Sequence, residues 1–225
     1  MIPWLQPGEA FPPVSRAMKS PNGLLCAGGE LSTERLIEAY GHGIFPWFSE
    51  GDPILWWSPD PRMVLFPEEL KVSRSLRRSV ARGAYEVRFD GAFETVMREC
   101  AAPRQGQSGT WIVPGMVEAY TRLHALGFAH SVESWRDGEL AGGLYGVALG
   151  RVFFGESMFS RATDASKVAL VALVERLKAE GCDLIDCQQA TAHLASLGAR
   201  QIPRREFVGH LKESIQYPPT GNRWG

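Results

Sequence analysis

Two short stretches late in the chain place polar side chains among apolar ones. The first is FFGESMFS, residues 153–160, in which phenylalanine and methionine flank Glu156. The second is LIDCQ, residues 184–188, in which Asp186 and Gln188 follow two apolar residues. An ionised carboxylate in an apolar setting is costly unless it is paired or hydrogen-bonded. If the stretches lie side by side, the three side chains line one apolar cleft that is suited to binding an amine and polarising a carbonyl.

Both stretches also have a purely structural explanation. LIDCQ is equally typical of a strand end, where polar residues emerge into a loop, and Glu156 could serve only in a salt bridge. Strict alternation along the strand places Phe154, Glu156 and Met158 on one face and Phe153 on the other. The same alternation turns Cys187 away from its polar neighbours, which predicts a core position for this thiol.

A third stretch, KVSRSLRRSVARG at residues 71–83, predicts a basic helix. Arginines at i, i+4 and i+8 form one stripe, and Leu76 and Val80 are predicted to face inwards. The cations of the stripe and its flanks are Lys71, Arg74, Arg77, Arg78 and Arg82. Such a face is either merely solvated or a contact for a phosphate backbone. The lack of any acidic residue between positions 71 and 82 favours the contact with a phosphate backbone.

The composition limits the class of protein. The chain has 225 residues, 44% of them hydrophobic, and a formal net charge of −1. These values allow a real core in one or two domains and exclude a polycationic binder. We predict neither a membrane span nor a signal peptide. Four cysteines without metal-ligand spacing predict a cytoplasmic protein with reduced thiols and no metal.

The elements that must position the polar residues fall into two regions. Residues 1–62 predict a small Pro/Trp-rich N-terminal domain held by aromatic packing, with one helix from Ser32 to Tyr40 that Ser32 or Thr33 caps. Residues 63–225 predict strands and helices around three antiparallel strands, followed by a helix and the LIDCQ strand. This order predicts an α+β fold with a mixed sheet, in which the two polar stretches can be neighbours.

This order of elements resembles the GNAT fold of acyl-CoA-dependent N-acetyltransferases. The pyrophosphate loop of those enzymes reads Gln/Arg-x-x-Gly-x-Gly/Ala, whereas residues 161–166 read RATDAS and contain no glycine. Asp164 stands where phosphates would approach the backbone, so the loop should bind a pyrophosphate poorly. The sequence therefore predicts a GNAT-like fold that has lost coenzyme A.

The motifs GIFPWF, WWSPDPR, FFGESMFS, LIDCQ and HLASLGA together resemble the leucyl/phenylalanyl-tRNA–protein transferases of bacteria, over residues 3 to about 210. The resemblance implies transfer of Leu or Phe, and less often Met, from aminoacyl-tRNA to proteins with N-terminal Arg or Lys. That transfer marks the acceptor for degradation by the N-end rule. Because the ester is already activated by its tRNA, neither cofactor, metal nor covalent intermediate is required. We expect a monomer.

The resemblance also implies roles for individual residues. Asp186 and Gln188 match the pair that positions and activates the acceptor amine, with the amide of Gln188 holding Asp186, and Glu156 matches a polar anchor in the same cleft. Trp47 and Trp111 match aromatics near the 3′ adenosine of the tRNA. The implied pocket for the donor side chain comprises Leu144, Phe153, Met158 and Ile185.

Asp164 departs from the family pattern, in which Asn is usual, and either residue is predicted to cap the following helix.

Two other classes of function fit part of the sequence. An acyl-CoA-dependent N-acyltransferase is opposed by the glycine-free loop at 161–166. A non-catalytic tRNA-binding module needs only the basic helix, and the polar residues in the apolar cleft argue against it.

Overall fold

The helices and strands follow the apolar periodicity of the sequence. A computed structural model describes residues 2–102, 110–216 and 224. The helices are α1 (Thr33–Gly41), α2 (Arg74–Ala81), α3 (Phe93–Ala101), α4 (Pro114–Ala125), α5 (Ala165–Ala179), α6 (Ala192–Ser196) and α7 (Arg204–Ser214). The strands are β1 (Trp4–Leu5), β2 (Leu24–Gly28), β3 (Phe45–Pro46), β4 (Leu55–Trp57), β5 (Arg62–Leu65), β6 (Glu86–Phe89), β7 (Ala129–Arg136), β8 (Glu139–Leu149), β9 (Val152–Ser160), β10 (Leu184–Gln188) and β11 (Arg200–Ile202).

Hydroxyl side chains cap the N-termini of α1, α2 and α6. The hydroxyls of Ser32, Ser73 and Thr191 each accept the backbone N–H of the residue three positions on. Each hydroxyl satisfies one of the four N–H groups that have no partner within their helix. The start of α1 at Ser32 agrees with the prediction.

Asp164 precedes α5 but does not cap it, so that prediction is wrong. Its φ of 64° places it in the left-handed region, and its side chain makes no cap hydrogen bond. The carboxylate instead accepts hydrogen bonds from Ser79 of α2 and Lys167 of α5. Asn and Asp tolerate this backbone conformation better than other non-glycine residues.

The N-terminal region contains a four-stranded sheet of order β1-β2-β4-β3. Aromatic packing holds it together, as predicted. The fully buried Trp56 donates its indole N–H to the Gly28 carbonyl, and the Phe11 ring meets it edge-on at 4.9 Å.

The second sheet has seven strands in the order β11-β5-β10-β9-β8-β7-β6. Strands β9 and β10 are parallel, and the other neighbouring pairs are antiparallel. The predicted α+β class with a mixed sheet is therefore confirmed. Phe154 of β9 lies opposite Asp186 of β10, so the two polar stretches are direct neighbours.

Helix α5 packs on one face of this sheet, and α3, α4 and the N-terminal region pack on the other. Tyr40 of α1 lies with its ring 5.0 Å from that of Phe154, inside one hydrophobic cluster that draws on both regions. The predicted domain boundary, between residues 62 and 63, falls within strand β5, which begins at Arg62. The division into two domains stays a prediction.

A β-bulge interrupts β9 at Glu156. Tyr145 of β8 pairs with Ser157, whereas the next residue, Gly146, pairs with Gly155, so Glu156 has no opposite residue. A bulge bends a strand and redirects its side chains, and bulges are frequent beside active sites.

The bulge makes the predicted faces of β9 wrong beyond Glu156: Met158 and Phe159 lie on the faces opposite to those predicted. Met158 packs in the same cluster as Phe153, on the α5 side, and Phe154 packs in the cluster on the opposite side. The extra residue reverses the alternation beyond it. Met158 thus joins Phe153 rather than Phe154.

Helix α2 carries one buried residue rather than two. Leu76 is buried beside α5, but Val80 is 40% exposed, so its predicted inward position is wrong. The helix ends at Ala81, and Tyr85 rather than Val80 joins Leu76 in the cluster beneath it.

Candidate active site

Glu156 lies at the centre of a part-buried hydrogen-bond network. The Tyr40 hydroxyl donates to its Oε1 over 2.7 Å, and the Tyr120 hydroxyl lies 3.4 Å from its Oε2. The two hydroxyls are also within hydrogen-bond distance of each other, and because each carries one proton, the Tyr120 proton is shared between Tyr40 and Glu156. The Gln188 side-chain Nε2 donates to Oε1 over 2.7 Å. Glu156 and Gln188 are therefore in contact, as predicted.

The pKa of the Glu156 carboxyl lies near neutral pH. Burial raises the pKa of its carboxyl to about 7, and the nearby charge of Asp186 acts in the same direction. The hydrogen bonds from Tyr40, Gln188 and Tyr120 oppose this shift because they stabilise the carboxylate. A carboxyl in this state can carry a negative charge or a proton at physiological pH.

Gln188 occupies a special backbone position at the end of β10. Its φ is 61°, and the pairing with β5 shifts register between Asp186 and Gln188. This irregularity turns its side chain towards Glu156. Because Nε2 donates to Glu156, the amide oxygen remains to accept a hydrogen bond from another group, such as an incoming amine.

Asp186 forms a fully buried ion pair with Arg62. The Arg62 Nε donates to Oδ1 over 2.8 Å, Nη2 donates to Oδ2 over 2.7 Å, and both side chains are 0% exposed. The bidentate geometry satisfies the desolvated carboxylate. The requirement that this aspartate be paired, evident from the sequence, is met.

The contact between Asp186 and Gln188 differs from the prediction. The backbone N–H of Gln188, not its side-chain amide, donates to Asp186 Oδ1, over 2.8 Å. Asp186 therefore fixes the unusual backbone of Gln188, while the amide of Gln188 is fixed by Glu156. The three predicted residues form a chain of contacts in which Gln188 is the middle member.

Arg62 is a site residue that the sequence did not reveal. Its guanidinium lies between the rings of Phe45 and Phe207, at 4.8 and 4.7 Å, and donates to the Gly43 carbonyl. The only sequence signal is an arginine that leads the apolar run RMVL, residues 62–65. Tyr40 and Tyr120 were also missed, although a tyrosine on a buried helix face requires a partner for its hydroxyl.

The four residues of the predicted donor pocket come together. Leu144, Phe153 and Ile185 belong to one cluster on the α5 face, and the half-buried Met158 packs against it. Three strands supply them, β8, β9 and β10. The pocket assignment itself stays a prediction.

The two tryptophans predicted near the tRNA end lie outside the Glu156 network. Trp47 is 38% exposed and meets the Trp57 ring edge-on at 5.3 Å. Trp111 is half-buried before α4 and packs against the cluster that contains Tyr120. Within the ranges that the structure describes, neither indole hydrogen-bonds to Glu156 or Gln188.

The five predicted tRNA-binding cations, Lys71, Arg74, Arg77, Arg78 and Arg82, are all exposed. Among the described residues, none of them forms an ion pair. The Ser79 hydroxyl of α2 bonds to Asp164, which ties the helix to the start of α5 and fixes the direction of its basic face.

Polar groups of the loop before α5 are already engaged within the protein. The Ser160 hydroxyl already accepts the backbone N–H of Ser166, and the Tyr85 hydroxyl donates to the Thr163 carbonyl. A Cβ on Gly142 would lie 2.7 Å from that of Ala165, so β8 and α5 are in close contact here. This packing argues against the acyl-CoA alternative.

Cys187 packs against the cluster on the α5 face, as predicted. Burial raises the pKa of its thiol to about 12, so the group stays protonated and is a poor nucleophile.

Across the part of the chain that the structure covers, no three His, Cys, Asp or Glu residues are grouped as metal ligands would be. None of the described helices combines the length and apolarity that a membrane span requires.

Comparison with known proteins identifies the family. The family model for leucyl/phenylalanyl-tRNA protein transferase matches residues 64–212, and the model for the N-terminal domain of the same transferase matches residues 29–60. The chain belongs to this family. The leucyl/phenylalanyl-tRNA–protein transferase of Nitrosospira multiformis is 65% identical over 224 residues, covering 100% of this chain and 97% of the relative. The transferase of Chromobacterium violaceum is 62% identical, covering 100% and 96%.

The similarity to solved structures is more distant. A GCN5-related N-acetyltransferase-like protein from Streptococcus suis aligns with a TM-score of 0.35 and 13% identity, covering 76% of this chain and 64% of that one.

The prediction of a transferase of the leucyl/phenylalanyl-tRNA–protein family is thereby confirmed for nearly the whole chain. Glu156, Asp186 and Gln188 all lie within the stretch that the leucyl/phenylalanyl-tRNA protein transferase model matches.

Proposed function

We propose that this protein transfers Leu or Phe, and less often Met, from aminoacyl-tRNA to the α-amine of proteins that begin with Arg or Lys. It does so in the cytoplasm as a monomer, and the product is an N-end rule degradation signal. The observation that carries the proposal is the placement of Gln188: Glu156 holds its side-chain amide and Asp186 holds its backbone, on the strand that also contributes Ile185 to the apolar cluster.

Gln188 is the group that receives the acceptor. Its amide oxygen accepts a hydrogen bond from the α-amine and aims the nitrogen lone pair at the ester carbonyl. The new bond joins this nitrogen to the carbonyl carbon, and the bond to the tRNA 3′ oxygen breaks. The proton that the amine loses ends on that oxygen, so no cofactor enters the reaction.

Asp186 acts through Gln188. Both its carboxylate oxygens already accept from Arg62, and Oδ1 also accepts the backbone N–H of Gln188. Its charge favours loss of a proton from the nearby amine, while its hydrogen bond maintains the left-handed backbone of Gln188.

Glu156 supplies the charge that selects basic acceptors. When ionised it is a fixed carboxylate beside Gln188, and it can attract the cationic side chain of an N-terminal Arg or Lys. Contact with the amino group of the donor is the alternative role. Comparing Glu156→Gln on Arg- and Ala-starting peptides separates the two, because only the first role predicts reduced discrimination.

The tRNA contacts lie away from this centre. The exposed cations of α2 suit the phosphate backbone, and stacking on Trp47 and Trp111 suits the 3′ adenosine. The cluster of Leu144, Phe153, Met158 and Ile185 is the proposed pocket for the donor side chain.

The decisive experiment supplies tRNA charged with labelled Phe and a peptide that begins with Arg. Label in that peptide, but not in one that begins with Ala, is the expected result. Asp186→Ala should lower turnover severely while aminoacyl-tRNA still binds. Asp183→Ala is the matched control, because this half-exposed aspartate precedes the same strand. Absence of label in both peptides would refute the proposed function.

A further inference from the structure

Trp224 is a buried residue near the end of the chain that the proposed reaction does not use. It is 7% exposed and lies in the same cluster as the proposed donor pocket. Its indole stacks on His130 at 4.1 Å with an interplanar angle of 13°, and on Phe153 at 5.8 Å with an angle of 17°. One tryptophan face thus contacts a pocket residue directly.

Helix α5 holds this indole in place. The Arg176 guanidinium lies 4.9 Å from the Trp224 ring, and its Nη1 donates to the Trp224 carbonyl over 3.1 Å. Phe89 meets the indole edge-on at 6.1 Å. A residue fixed by stacking, cation–π and hydrogen-bond contacts occupies one defined position.

The strand register and the ring contacts show where Trp224 lies relative to the pocket. Leu144 of β8 pairs with Met158 of β9, two residues beyond Glu156. His130 pairs with Gly146, which pairs in turn with Gly155, the residue before Glu156. Because Trp224 stacks on both His130 and Phe153, it lies against the pocket on the α5 side of the sheet.

The Phe153 ring fills the space between Trp224 and the backbone of β8. A Cβ on Gly146 would lie 2.6 Å from two atoms of the Phe153 ring, so the ring rests directly on the glycine backbone. The ring is fully buried, with Trp224 against it. Phe153 therefore cannot withdraw along the sheet while the indole is in place.

We propose that Trp224 determines donor specificity by packing against Phe153 and thereby limiting the size of the pocket. The inference rests on the proposed function, and it makes Trp224 a positioning residue rather than a catalytic one. Its ring contact with the proposed pocket is through Phe153. Removing the indole leaves a space into which Phe153 can move, so the pocket gains volume and admits a larger donor side chain.

The test compares donors in competition. Wild-type protein and Trp224→Ala receive tRNA charged with Leu, Phe or Trp, together with a peptide that begins with Arg. We expect the ratio of kcat/KM for Trp-tRNA to that for Leu-tRNA to rise about tenfold in Trp224→Ala. Trp224→Phe keeps an aromatic ring against Phe153 and should restore the wild-type ratio. Trp4→Ala removes a tryptophan that is 61% exposed and should change nothing.

Each outcome has one meaning. A uniform loss of activity with all donors, or an unchanged ratio, overturns the role of Trp224 and leaves the proposed function intact. Wild-type protein that transfers no amino acid refutes the proposed function, and this inference with it. If Trp224→Ala does not fold, Arg176→Gln decides, because it releases the indole without removing it, and the ratio must shift in the same direction.

Discussion

At the scale of single residues, Glu156 combines two properties that rarely coexist. It is held by donors from three different side chains, yet burial keeps its pKa near 7 rather than below the ordinary value for a glutamate. The tyrosine hydroxyls and the amide supply the hydrogen bonds, but among its near neighbours Asp186 adds repulsion. The site therefore carries a proton that a small change of pH can remove.

This proton has a consequence for stability. Between about pH 4.5 and 7 the folded protein holds a proton on Glu156 that the unfolded chain releases, so the free energy of unfolding falls as the pH rises. The loss amounts to about 3 kcal/mol above pH 7. Urea denaturation between pH 4 and 8 should therefore show a flatter pH profile for Glu156→Gln than for the wild type. The exposed control Glu139→Gln should retain the wild-type slope; equal slopes for all three would contradict the assignment.

The buried pair of Arg62 and Asp186 predicts a second stability effect. Arg62→Met leaves a desolvated carboxylate without its partner and should lower the free energy of unfolding by about 3–5 kcal/mol. Urea denaturation measures this change. The double variant Arg62→Met/Asp186→Leu removes both charges. It should recover most of the lost free energy of unfolding without restoring aminoacyl transfer. In the exposed pair of Glu86 and Arg88, the change Arg88→Met should hardly matter.

At the scale of elements, α2 is a short helix whose charged side chains are all cations. Its phosphate contacts would release counterions and read no base sequence, which suits an enzyme that accepts several tRNAs. Arg78→Ala should weaken binding of Leu- and Phe-charged tRNA equally and lower the slope of log K against log salt by about one unit. Filter binding over a series of salt concentrations measures both the affinity and this slope.

The control for that measurement is Arg16→Ala, which removes an exposed arginine outside the basic helix. Its slope should equal that of the wild type. Full affinity and an unchanged slope in Arg78→Ala would mean that this face of α2 is merely solvated.

The elements also show what the sequence could predict. Every helix and nearly every strand after residue 62 follows from its apolar period, and so does the proximity of Glu156 and Gln188. The faces of β9 beyond Glu156 did not follow, because one unpaired residue reverses the alternation. The four N-terminal strands, which span two to five residues each, were not predicted.

The partner of Asp186 was beyond prediction for a different reason. Arg62 lies 124 positions away along the chain, and only the placement of β10 between β5 and β9 brings the two together. No local pattern encodes that order of strands.

At the scale of the whole molecule, the two sheets share one hydrophobic cluster. Tyr40 of α1 lies against Phe154 of the larger sheet, and Arg62 contacts Phe45 of β3 and Phe207 of α7. The two regions should therefore unfold together. Tryptophan fluorescence, dominated by N-terminal residues such as Trp56 and Trp57, and far-ultraviolet circular dichroism should report the same urea midpoint. Two separated midpoints would contradict the joint unfolding of the two regions.

The central position of β10 also sets when the protein can first act. A ribosome adds roughly 5–20 residues per second, so the 124 residues between Arg62 and Asp186 take about 6–25 s to make. Throughout that interval β5 lacks the strand that joins it to β9, and Gln188 does not yet exist. The nascent chain is therefore inert towards charged tRNA until residues 184–188 have been made. Activity begins only when β10 has inserted between β5 and β9.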